Sequence, residues 1–195
     1  RPGSVPMPGV GGILPKSFYL RPVDAVALDL LGRCLRLGDV VLRITEVEAY
    51  GGSEDSASHC RSGRTPRNAP MWEEGGRAYV YLCYGLHHLL NLVTGPEGEG
   101  SAVLVRACEP VDGLEIVQAR RGAAREPALL AGPGRVAQAL GVDLSFSGRP
   151  LYLPGGLEVR EGTPPAAVLK GPRIGVSYAA AGSAWVTEPR SLAPL

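Results

Sequence analysis

The sequence predicts an α+β fold built on an antiparallel sheet. Two observations carry that reading. Strand-patterned stretches cluster together along the chain, and helix-patterned stretches stand before and after them. The 195 residues are 45% hydrophobic, enough for a core, and their number fits one domain. The Gly- and Pro-rich stretch from Arg1 to Gly12 reads as a loose start, so residues 1–13 are a flexible lead-in and residues 14–195 a single domain.

Each element follows from its pattern. Val23, Val26, Ala27, Leu30 and Leu31 recur at helical spacing, with Pro22 in front and Gly32 behind, which predicts a helix over 22–31. Cys34 to Leu37, a Gly38-Asp39 turn and Val40 to Tyr50 read as a β-hairpin. Gly51 to Pro70 is too long and too polar for a turn, and loops of that length are commonly functional. Arg77 to Cys83 and Leu86 to Thr94 are strands broken at Tyr84-Gly85, and Ala102 to Ala107 is a third. Pro110 opens a helix to about Arg121, with Gly113 in its first turn, and Gly132-Pro133-Gly134 introduces another to Leu140. Leu157 to Arg160 and Ile174 to Tyr178 are short strand-like pieces, and no internal repeat is present.

Composition narrows the classes. No stretch is apolar for long enough to span a bilayer, and Arg1 to Leu14 lacks the charged-then-apolar order of a signal peptide. Cys34, Cys60, Cys83 and Cys108 form no C-x-x-C pair and read as reduced thiols of a cytoplasmic protein. A zinc site is not expected: His59-Cys60 and Cys83-x3-His87 match no common ligand spacing. The net charge of +1 is not that of a strongly basic nucleic-acid binder. Only Lys16 and Lys170 are lysines, however, and the arginines gather locally, as Arg61, Arg64 and Arg67 and as Arg120, Arg121, Arg125 and Arg135. Coding bias alone would give that preference; arginine is also the better bidentate phosphate ligand.

The strongest chemical pattern is Thr45-Glu46-Val47-Glu48-Ala49-Tyr50. Strict alternation puts Glu46, Glu48 and Tyr50 on the same face as Leu42 and Ile44, where two carboxylates are costly unless partnered. The other possibility is a strand end where Glu48 and Tyr50 emerge into water. The loop that follows returns Glu54, Asp55 and His59 close to Tyr50, and Arg64-Thr65-Pro66-Arg67-Asn68 adds guanidinium and amide donors on a Pro-containing turn. Tyr79 and Tyr81 share a strand face, with core packing the simpler role for Tyr79. Tyr84 stands at a hairpin tip, where core packing is hard to arrange and contact with a flat partner such as a base is the alternative. Arg106 interrupts an aliphatic strand and needs a carboxylate, which Glu46 or Glu48 would supply. Gly132-Pro133-Gly134-Arg135 before a helix could seat a phosphate, though Gly-Pro-Gly is also an ordinary helix start.

Taken together these runs resemble the alkyladenine (3-methyladenine, or methylpurine) DNA glycosylase family. The resemblance rests on Glu46-Val47-Glu48-Ala49-Tyr50, Glu54-Asp55 with Ala57 and His59, Arg64-Thr65-Pro66-Arg67-Asn68, Tyr79-Val80-Tyr81, Tyr84-Gly85, Asn91, Leu104-Val105-Arg106-Ala107 with Glu109-Pro110, Gly132-Pro133, and Pro172-Arg173-Ile174-Gly175-Val176. Their order holds from about Leu14 to Trp185. It implies a curved antiparallel sheet in a single α+β domain and a DNA glycosylase of base excision repair; with no lysine near these motifs the enzyme is expected to be monofunctional, no cofactor or metal is expected, and the absence of an obvious self-association stripe points to a monomer. Its partner would be double-stranded DNA containing 3-methyladenine, 7-methylguanine, hypoxanthine or ethenoadenine. Glu48 would be the general base and Arg106 would hold it and the water. Tyr50, His59, Tyr81, Asn91 and Leu104 would form the base pocket, with Asn91 disfavouring guanine. Tyr84 would fill the gap left in the duplex, and Arg64, Arg67, Gly134 and Arg135 would touch the backbone. His87, His88 and Cys60 depart from the family's usual residues, and the segment from Ala123 to Leu130 looks shorter than in some relatives.

Two other classes stay open on the sequence. A non-catalytic binder of damaged or structured nucleic acid would keep Tyr84 and the arginines but has no use for Glu48 and Arg106. A small-molecule nucleosidase needs Glu48 and the tyrosines but no hairpin wedge, and its binding would hardly respond to salt, unlike arginine–phosphate contacts.

Overall fold

The computed structural model describes residues 7–125, 128–174 and 191–194. Within them lie α1 (Val23–Leu30), β1 (Cys34–Leu37), β2 (Val40–Tyr50), β3 (Ala78–Cys83), β4 (His87–Thr94), β5 (Ser101–Asp112), α2 (Leu114–Arg121), α3 (Pro133–Leu140), β6 (Glu158–Arg160), β7 (Val168–Gly171) and β8 (Ser191–Pro194). The architecture is α+β. A curled antiparallel sheet runs β3-β4-β5-β2-β1-β6, and β8 pairs with both β2 and β7. β1 accompanies only the first half of β2, Val40 to Arg43; β8 takes over that edge at Val47 and Glu48.

One face of the sheet is the core. Val26, Ala27 and Leu30 of α1, Val117 of α2 and Val136, Ala137 and Leu140 of α3 pack with Leu42, Ile44, Val47, Val80, Leu90, Leu92, Val103 and Val105. α1 lies on β2 and β5, and α3 on β4 and β5. The opposite face of β3, β4 and β5 carries Tyr79, Tyr81, Asn91, Leu104 and Arg106.

The register of β2 corrects the face assigned to its carboxylates. Ile44 pairs with Cys108, Glu46 with Ala107 and Val47 with Val105, so Thr45 on one strand and Arg106 on the other have no opposite number. These irregularities reverse the phase of both strands: Leu42 and Ile44 enter the core before them, Val47 and Ala49 after. Glu46, Glu48 and Tyr50 therefore leave the face of Leu42 and Ile44. The surplus residue's carbonyl is not orphaned, because Gly132 N–H donates to Arg106 O at 2.9 Å and so brings the start of α3 beside β5.

A second correction concerns 110–113. Pro110 does not open a helix; it pairs with Leu42 inside β5, which runs on to Asp112. Pro110 offers no N–H, and the register slips next to it, between Val41 and Leu42, as is usual for proline in a sheet. The helix begins only after Gly113 at φ +76°, where a Cβ would come within 2.5 Å of Asp39 O. The lead-in is tied down from residue 11: Gly11 N–H donates to Glu161 O, Glu161 N–H to Gly12 O and Leu14 N–H to Val159 O, at 2.8–2.9 Å. The expected strand over 174–178 lies, beyond Ile174, outside the described residues, as do residues 1–6.

Candidate active site

The polar face of the sheet, the loop after β2, the β3–β4 hairpin and the start of α3 enclose an open cleft of about 790 Å³. Tyr50, His59, Tyr81, Leu104, Arg106, Ile174, Tyr84 and Gly134 line it. Asn91 stands deeper, in a cavity of about 30 Å³ that it shares with Tyr50, His59, Tyr79 and Tyr81. Residues spread over 125 positions of the chain thus meet in one place because pairing fixes them: Glu48 opposite Leu104, Asn91 opposite both Tyr79 and Leu104.

Glu48 lies beneath the lining residues at 0% exposure. Arg106 Nη1 sits 2.7 Å from its Oε1, and Ile174 N–H donates to its Oε2 at 3.0 Å. Arg106 Nε also reaches Glu46 Oε1, at 3.7 Å, so the arginine serves both carboxylates of the strand. Among the described residues no aligned hydrogen bond reaches Oε1, because the Arg106 N–H does not point along the short contact. Burial pushes the Glu48 carboxyl above its ordinary range, and Arg106, the Ile174 N–H and the Arg173 charge pull it partly back. The result is a carboxylate fixed in place, with its proton affinity raised and Oε1 without an aligned donor among the described residues.

The aromatic wall is set by the loop. His59 and Tyr81 rings meet at 4.3 Å between centroids, tilted by 58°, and the Tyr79 hydroxyl lies 3.2 Å from His59 Nδ1. Burial, and then Arg67 and Arg61, lower the His59 pKa to about 4, so the ring is neutral at physiological pH. Asn68 fixes the loop: its Nδ2 donates to His59 O and Gly63 O at 3.0 Å, and its Oδ1 accepts from Thr65 N–H and Trp72 Nε1–H. Tyr79 is buried, its hydroxyl pushed up to about 12 by burial, and it borders both the open cleft and the deeper cavity.

At the mouth, Tyr84 is 94% exposed and Leu86 75%. The turn closes through Leu86 N–H to Cys83 O at 3.0 Å, and both of its central residues have positive φ, +51° at Tyr84 and +67° at Gly85. That is the hairpin turn matched to strand twist, which ordinarily takes Asn or Gly first. A tyrosine held there costs on the order of 1–3 kcal/mol. Gly134 also lines the cleft and lies against the hairpin, where an added Cβ would be 3.0 Å from His87 Cβ. Arg67 Nη2 donates to Leu82 O at 3.1 Å and its guanidinium lies 5.6 Å from the Tyr81 ring centre, within the cleft. Arg64 is exposed on the loop but does not line the cleft, and Arg135 spends a donor on Ala131 O. In the second arginine cluster, Arg120 and Arg121 donate to the carbonyls of Ala139 and Leu129.

Three site residues escaped the reading of individual residues. Asp55 reads only as an acid of the loop, Ile174 only as the start of a strand-like piece and Arg173 only within a run of family likeness, yet Arg173 makes a two-pronged ion pair with Asp55, 118 positions away, at 2.6 and 3.0 Å. The signal was available for Arg173. An arginine in the apolar-leaning Pro172-Arg173-Ile174 needs an acid, by the argument that pointed Arg106 to Glu46 or Glu48.

The sequence profile described as methylpurine-DNA glycosylase matches residues 17–187. The chain belongs to the methylpurine-DNA glycosylase family, a class of hydrolases acting on N-glycosyl bonds. Among its relatives, a Nitrosococcus oceani protein named "Putative 3-methyladenine DNA glycosylase" is 61% identical over 167 residues, covering 86% of this chain and 83% of the relative. The DNA-3-methyladenine glycosylase of Arabidopsis thaliana is 48% identical over 198 residues, covering 94% and 78%. Among the described residues no helix is long and apolar enough to cross a membrane.

Proposed function

We propose that this protein extrudes damaged purines from double-stranded DNA and hydrolyses their N-glycosidic bond with a water activated by Glu48, leaving an abasic site. The observation that carries this reading is the wholly buried Glu48, held by Arg106 and the Ile174 N–H beneath a tyrosine- and histidine-lined cleft. A base in a duplex cannot reach such a cleft without being flipped, and damaged pairs cost less to open. Tyr84, already strained and exposed, fills the space the base leaves. Tyr50, His59 and Tyr81 receive the purine. His59 is neutral, so it does not repel a cationic alkylated ring, and the tyrosine faces attract one.

Water held on Glu48 Oε1 loses its proton to the carboxylate as it attacks C1′. The same negative charge stabilises the oxocarbenium character that develops on the sugar. Arg106 keeps the carboxylate ionised against the burial that opposes it. Neither Lys16 nor Lys170 lines the cleft, which supports a hydrolase without strand-cleaving lyase activity. The substrates expected are 3-methyladenine, 7-methylguanine, hypoxanthine and ethenoadenine, with Asn91 at the pocket floor disfavouring guanine. The protein is expected to act as a monomer in the cytoplasm, on nucleoid DNA.

The test is single-turnover base release from duplexes carrying one such lesion. Glu48→Gln is expected to lose at least about a hundredfold in rate, as for loss of a general base, while lesion binding survives. Wild-type protein that binds every lesion and releases none would replace this reading with that of a damage-binding module.

A further inference from the structure

Behind the cleft, Asp55 and Arg173 form an ion pair in which both side chains are 0% exposed. Such a pair contributes little net stability compared with apolar residues of the same volume, because both charges must be desolvated. Its connections are more informative. Asp55 ties the loop after β2, accepting from Gly51 N–H at 2.9 Å and from Ala57 N–H at 3.0 Å. Arg173 donates to Ala49 O at 3.1 Å, in the strand between Glu48 and Tyr50, and its guanidinium lies 4.7 Å from the centre of the Tyr50 ring. The next residue along the chain is Ile174, whose N–H donates to Glu48 Oε2. A donor one peptide away from a guanidinium fixed at three oxygens has little freedom to move.

We propose that Asp55 and Arg173 are positioning residues for the general base: they hold the Ile174 N–H on Glu48 Oε2 and so leave Oε1 turned toward the attacking water. The inference rests on Glu48 being that base. Without the pair the 172–174 segment loses its anchor in β2, Glu48 keeps only Arg106, and the carboxylate rotates away from its working orientation. The ionised form of Glu48 also loses a hydrogen bond and a nearby positive charge. The charged groups around Glu48 are Arg106 on β5, Glu46 on β2 through Arg106, and the Asp55–Arg173 pair itself. Only the last is altered by the test.

Removing one member strands a buried charge, so the first variant is the double change Asp55→Asn with Arg173→Gln, which removes both charges at similar volume. Single-turnover base release from lesion duplexes is followed as a function of pH, beside lesion affinity. The double variant is expected to bind within about threefold of wild type, to release base at least tenfold more slowly at pH 7, and to show its acidic limb at higher pH. A purely structural role would reduce the active fraction without moving that limb. A folded double variant with wild-type rate and limb overturns the proposal. Arg173→Lys keeps the charge but cannot make the two-pronged contact. It is read whether or not the double variant folds, and is expected to slow release several-fold with a smaller shift of the limb; wild-type behaviour here also overturns the proposal. Glu48→Gln is measured in parallel. Wild-type release by Glu48→Gln sinks the general-base reading itself, whereas its loss combined with wild-type behaviour of the pair variants removes only the positioning role.

Discussion

Glu48 and His59 are both pushed toward neutrality by burial, yet the proposed mechanism uses them in opposite states. His59, with a pKa lowered to about 4, is already in its working form at neutral pH. Glu48, raised, has to be ionised against its surroundings. The sign for stability follows. A carboxyl whose proton is held more tightly in the folded than in the unfolded state favours folding while it is protonated, and that contribution is lost as pH rises from about 4.5 through the folded value. Glu48→Gln keeps the shape and removes the charge, and Arg106 retains Glu46 as a partner. The variant is therefore expected to unfold at a higher temperature than wild type at pH 7 and at nearly the same temperature at pH 4, by calorimetry at both; a lower midpoint at pH 7 would contradict the assignment. Residue identity alone revealed that Arg106 needs an acid. It could not reveal that Glu46 and Glu48 leave the face of Leu42 and Ile44, because nothing in Thr45 or in Arg106 announces an irregular register.

The β3–β4 hairpin shows what an element contributes. Its strands were plain in the alternation of tyrosine and aliphatic residues, and its break was plain at Tyr84-Gly85. What the sequence could not show is that Tyr84 occupies the left-handed region at +51°. Tyr84→Asn replaces it with a residue that accepts this conformation. It is expected to raise the unfolding midpoint by about 2–4 °C, corresponding to about 1 kcal/mol in a chain of this size. Base release from an unstacked lesion in a mismatch is expected to suffer less than release from a paired one if Tyr84 acts, as proposed, by offsetting the cost of opening the duplex. Equal losses on both substrates would assign Tyr84 to the pocket and not to the opening step. β5 teaches the reverse lesson. Pro110 carries the local signature of a helix start, but four residues of pairing with β2 outweigh it, and only Gly113 ends the strand.

At the scale of the molecule, the site is closed by parts of the chain far from its centre. β8 pairs at Glu48 through Ser191 and buries Leu192 beside Val47. Deleting residues 191–195 exposes that edge and is expected to lower stability by at least ~2 kcal/mol, about the burial of one leucine, together with a loss of base release; urea unfolding and single-turnover assays would read both. A truncated protein as stable and as active as the full chain would show β8 to be dispensable. The overall α+β arrangement was legible because strands and helices separate cleanly along the chain, whereas the identity of a partner more than a hundred residues away, such as Asp55 for Arg173, leaves no local trace. The same long reach has a consequence for biosynthesis. Glu48 is joined to the growing chain when only a quarter of this sequence has been made, but the Ile174 amide that hydrogen-bonds it follows some 125 residues later. On the proposed mechanism, a nascent chain that has not yet reached Ile174 is catalytically silent.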